Sequence, residues 1–210
     1  MPSTRLRDRF SLAAAAVCFA LAGPVVARSA EPPVDRLGIP GPIEFAGTQY
    51  HLAWSAQPSA DYIKHEYLPS GQKPGTHTDM ISVELLTSGV GTADVVKAQT
   101  KMLDQRKATD SLVNYRLLQN PNNGQAVLDF LMSDERSGTL IVEWAAHRYA
   151  PVTMPGGKSA VLLFAISRRH YGDGAGDFLK ALAVKRIADV GTLVNHAVPG
   201  AEPVNPAHRR

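Results

Sequence analysis

The 210-residue chain carries a single cysteine, Cys18, and that residue lies in an N-terminal apolar run. Arg5, Arg7 and Arg9 precede this run, Gly23-Pro24 breaks it, and Val25-Val26-Ala27 offers small residues to a peptidase. Residues 1–27 therefore read as a secretory signal peptide. The arginines are separated, so the pattern is Sec-type rather than twin-arginine, and the expected address is the periplasm. Cleavage leaves no thiol, which excludes disulfides, a thiolate nucleophile and cysteine-based metal sites. No later apolar run approaches the roughly 20 residues that a membrane span needs. Neither sign of charge dominates. The formal net charge is +3 and falls to +1 once Arg5, Arg7, Arg9 and Asp8 leave with the leader. Adjacent basic residues beyond the leader come only in pairs, Arg168-Arg169 and the terminal Arg209-Arg210 among them, so no nucleic-acid partner is expected.

Signatures of catalysis and cofactor binding are missing as well. The seven histidines never take HExxH spacing, and no serine sits in a GxSxG elbow. GVGTAD (residues 89–94) lacks the lysine of a phosphate loop. GDGAGD (residues 172–177) lacks the length and closing glutamate of a calcium loop. No cofactor and no metal are expected.

What remains reads as one α+β domain over residues 43–197. A Pro/Gly-rich flexible arm (28–42) precedes it and a loose, proline-containing tail (198–210) follows. Tyr50, Leu52 and Trp54 alternate as in a strand, and further strands are expected near 62–68 and 80–87, although MISVELL also suits a helix. A helix follows, with Thr92 as its cap and Asp94 in its first turn. Four strands come next, at 112–119, 125–133, 139–149 and 159–169, joined by turn-forming NPNNG, DERSG and APVTMPGG. Short links make them antiparallel neighbours, a four-stranded C-terminal meander. A last helix is expected from Asp173 to about Ile187, with Phe178, Leu179, Leu182 and Ile187 on its apolar side.

Each strand of the hairpin VLDFLMSDERSGTLIVEW carries an acid, Asp129 and Glu143. Matching the more apolar faces pairs Phe130 with Val142 across a three-residue loop. It sets Asp129 opposite Glu143 and places Tyr115 beside Asp129. Like charges facing each other are unfavourable. Three readings follow: solvated or salt-bridged acids, a pair sharing one proton, or a site for a cation or polar ligand. His147 shares a face with Glu143, and Arg169 extends the same surface. The candidate ligand-binding set is thus Tyr115, Asp129, Glu143, His147 and Arg169. Arg168 and Arg169 in SRRHYGD form a second candidate, for an anion.

The element order over about 43–190 resembles the PsbP/Mog1 type of α+β fold. The stretches EYLPSGQ (66–72) and VLLFAISRRHYGD (161–173) are similar to uncharacterised secreted proteins of Gram-negative bacteria. The resemblance implies a soluble periplasmic accessory or binding protein, without catalysis, that takes a small polar ligand or an envelope protein. Two alternatives stay open: a small secreted hydrolase using the paired carboxylates, and an envelope assembly factor acting through protein contacts.

Overall fold

The computed structural model describes residues 32–135 and 138–197; the expected leader and tail lie outside them. In chain order the elements are β1 (Ile43–Phe45), β2 (Thr48–Ser59), β3 (Tyr62–Pro69), β4 (Asp79–Leu86), α1 (Thr92–Arg106), β5 (Asn114–Asn120), β6 (Gln125–Asp134), β7 (Ile141–Thr153), β8 (Ser159–Tyr171) and α2 (Ala175–Asn195). The class is α+β. All eight strands form one antiparallel sheet in the order β1-β2-β3-β4-β8-β7-β6-β5. The last four strands are therefore continuous with the first four through the β4–β8 pairing.

Each face of the sheet carries its own core and its own helix. Val95, Val96 and Leu103 of α1 pack with Leu128, Phe130, Ala145, Tyr149 and Leu163. Leu182 and Leu193 of α2 pack with Val127, Trp144, Ala146, Phe164 and Ile166. Alternate residues of β6, β7 and β8 thus enter opposite cores, as the pleat requires. All ten residues from Ile141 to Ala150 are buried.

Two-sided burial overturns the expected hairpin register. Phe130 faces Ala145, not Val142, and Asp134 faces Ile141, so the connection is six residues long rather than three. When both faces are apolar, matching the better face no longer discriminates between registers. Three further expectations are corrected. Gly91, not Thr92, caps α1, and the buried Thr92 hydroxyl has no hydrogen-bond partner. α2 begins after Gly174, whose φ of 92° favours glycine, and it runs eight residues beyond Ile187 because Val190 and Leu193 reach the core. Ile187 itself is 83% exposed, on the side away from the sheet.

Part of the expected flexible arm is fastened down. Asp35 Oδ1 accepts from the Leu37 and Ile39 amides at 3.1 and 2.9 Å. Ser55 donates to the Val34 carbonyl, and the Arg36 amide donates to His65 Nε2. Leu37 and Ile39 pack on the α2-side core. β1 then turns into β2 through Ala46 and Gly47, both at positive φ (49° and 77°), the conformation of a two-residue hairpin turn.

Candidate functional site

The corrected register separates the two acids. β6 sets Asp129 opposite Ala146, and β7 sets Glu143 opposite Met132. Asp129 faces α2, whereas Glu143 faces the α1 side. Tyr115 faces Phe130, and Arg116 takes the place beside Asp129. A shared proton or a ligand bridging the two carboxylates is therefore excluded.

On the α2 side, Asp129 accepts from the buried Trp144 indole at 2.6 Å, and both its oxygens lie 2.9 Å from Arg186 Nε. Two more arginines fasten the same helix. Arg168 donates to both oxygens of Asp189 at 3.0 and 3.1 Å and also binds Asp79. Arg148 donates to the Leu193 and His196 carbonyls at the end of α2, where the helix dipole favours a cation. Arg168 and Arg169, the expected anion site, are each already matched by carboxylates.

On the α1 side, the pleat brings Glu143, His147 and Arg169 to one surface. Arg169 stands directly opposite Glu143, with Nε 2.8 Å from Oε2. Burial pushes the Glu143 carboxyl above the usual range, while Arg169, Ser167 and Lys64 oppose that shift. Its second oxygen is buried too, beside the equally buried Ser167 hydroxyl. His147 bonds the Tyr149 hydroxyl at 3.2 Å and meets the Phe130 ring edge-on. Burial, aided by Lys64, pushes its pKa down to about 3, so it is neutral at pH 7. Tyr115 shares this face but stands apart on β5. Its hydroxyl donates to Asp104 of α1 at 3.1 Å, and Lys107 lies 4.5 Å over its ring.

The rest of this polar cluster lies on β3, on β4 and in the segment just before β4. Lys64 reaches Glu66 at 3.2 Å and Glu84 at 3.6 Å, and Tyr62 donates to Glu84 at 2.6 Å. These carboxylates outweigh the burial of Lys64 and raise its pKa. His77 is buried with neither ring nitrogen hydrogen-bonded to the described residues; burial, then Arg169 and Lys64, push its pKa down to about 3. The missed signal was period two in DMISVELL, where Ser82 and Glu84 alternate with Ile81, Val83 and Leu85. Among the described residues, no group of three or more His, Cys, Asp or Glu is placed to hold a metal ion. No helix among them is long and apolar enough to cross a membrane. The chemistry of the site is that of matched charges inside a sheet, with each carboxylate of the expected site held by its own guanidinium.

Such an arrangement defines an α+β protein with one antiparallel sheet, a helix on each face and ion pairs in both layers. Residues 37–198 match a protein-family model, and the chain belongs to that family. The match covers all eight strands and both helices. A search of curated proteins found no match.

Proposed function

We propose that the protein is an exported accessory or binding protein of the bacterial cell envelope, related in fold to the PsbP/Mog1 group, and that it acts through contacts with another protein. One observation carries this reading. Of the five large apolar side chains exposed among the described residues, three lie on α2, Val184, Ile187 and Val194, and a fourth, Leu118 of β5, lines a groove with Val194. Val184, Ile187 and Val194 fall within one helical stripe, roughly opposite Leu182, Asp189 and Leu193, which face the sheet. A surface helix normally turns a polar face to water, and a clustered apolar patch marks an interaction site. The separation of Asp129 from Glu143 weighs against a paired-carboxylate hydrolase, which needs both acids about one substrate.

The test places a photo-crosslinking amino acid at Val184 in the exported chain. A discrete envelope-protein adduct, lost in Ile187→Ser/Val194→Ser at unchanged thermal stability, is the expected result. An absence of adducts, together with a thermal shift on adding one sugar, metal or anion, would replace this reading with small-ligand binding.

A further inference from the structure

We infer that β5 is a docking edge: an extended, acidic and apolar segment of a partner protein pairs with Asn114–Asn120 and places one side chain in the groove beside α2. The inference deepens the accessory reading above and rests on it.

The two edges of the sheet differ in how they are guarded. β1 offers three residues after a cis Gly41–Pro42 bond, and its neighbour β2 breaks register twice. The arm ties to β2 and β3 at Ser55 and His65. Short strands, prolines, bulges and covering segments are the devices that keep edges from pairing. β5 has none of these four, and its one charged side chain is Arg116. It pairs with β6 over seven residues without a register break, and contains no proline and no lysine. Among the described residues no strand and no backbone hydrogen bond lies beyond it. A row of free amides and carbonyls is complemented by another extended backbone.

A groove of about 280 Å³ opens on the α2 side of the same edge, walled by Leu118, Ala126, Val127 and Val194, with Asn120 and Asn123 at its rim. That volume stands at the lower end of the roughly 300–1,000 Å³ of ligand pockets and has room for one large side chain. Strand addition supplies such a side chain, because alternate residues of an added strand point to the same face. The local charge sets the rest of the chemistry. Arg116 is exposed and has no ion-pair partner among the described residues, while its cross-strand neighbour Asp129 is already held by Arg186. Arg148 lines the groove as well. The surplus is positive, which attracts an acidic segment and repels the same patch of a second copy across a two-fold axis.

The test uses the mature full chain and two fluorescent heptapeptides, Glu-Val-Glu-Leu-Glu-Val-Glu and its Lys-for-Glu counterpart, followed by anisotropy. The acidic peptide is expected to bind at least about tenfold more tightly than the basic one. N-methylation of alternate peptide amides in the pairing register, and separately Leu118→Asp, should each weaken it by about tenfold or more. Arg116→Gln should erase most of the charge preference without changing the melting temperature. Absent binding, binding that survives N-methylation in both registers, or a β5-dependent dimer in sedimentation would each overturn the inference. The Val184 crosslink separates the two claims. If the peptide fails and the adduct persists, the accessory reading stands without the edge; if both fail, the accessory reading falls too.

Discussion

Asp129 and Glu143 stand on neighbouring strands, each bound to an arginine, yet on opposite faces of the sheet. On the α2 face the partner comes from the helix, and Arg186 keeps 29% of its side chain in solvent. On the α1 face both partners come from strands, and the Glu143 and Arg169 side chains are 1% and 6% exposed. The first pair is a fastener at a seam. The second is part of an interior polar cluster with Lys64, Glu84, His77 and His147. Identical chemistry therefore carries different energetic weight, because a charge sealed from water has no alternative partner when its neighbour is removed.

Breaking the interior pair should have the largest effect. Arg169→Met leaves Glu143 buried without its cation and is expected to cost about 3–5 kcal/mol, read from urea denaturation. Arg169→Met/Glu143→Met should recover most of that loss, because replacing both charges removes the uncompensated one. A smaller loss from the single variant than from Arg186→Met would reverse the comparison.

Acid titration comes next. His147 and His77 are held neutral, with pKa values near 3, and so bind fewer protons than the unfolded chain between about pH 6.5 and 3. Stability therefore falls as pH drops through that window. From pH 7 to pH 5 each histidine contributes a loss of about 2 kcal/mol. Glu143, whose pKa is raised, works in the opposite direction over its own window, so the clean readout is a difference. His147→Phe should lose about 2 kcal/mol less than the parent protein between those two pH values. Equal losses would place His147 in contact with solvent.

At the seam, Arg186→Met should cost about 1 kcal/mol, since Asp129 keeps the Trp144 indole and gains water. The outward face of α2 should show the least. Val184→Ser/Ile187→Ser is expected to change stability by no more than about 0.5 kcal/mol, measured by thermal melting. A large loss there would mean that the stripe supports the fold.

Much of the architecture was legible from period and punctuation. The β5 to β8 spans lie within about four residues of their expected limits, because turn chemistry marks them and turns act locally. Parity within one strand also sufficed to put Glu143 and His147 on one face. Register between strands was not legible. It depends on one apolar face and one wet face, and β7 has no wet face: Val142, Trp144 and Ala146 are as buried as Ala145, His147 and Tyr149. The same ambiguity hid Lys64 and Glu84, whose role emerges only when β3, β4, β8 and β7 stand side by side. Ile187 was misassigned for a related reason, since α2 is apolar on two sides and composition alone does not say which one meets the sheet.

The pairing of β4 with β8 joins Asp79 to Arg168 and Leu86 to Val161. Contacts so distant along the chain slow folding, because a long loop must close before any of them forms. β8, the last strand among the described residues, is thus an interior member of the finished sheet. Until that strand is made, β4 and β7 both lack the neighbour they share in the finished sheet.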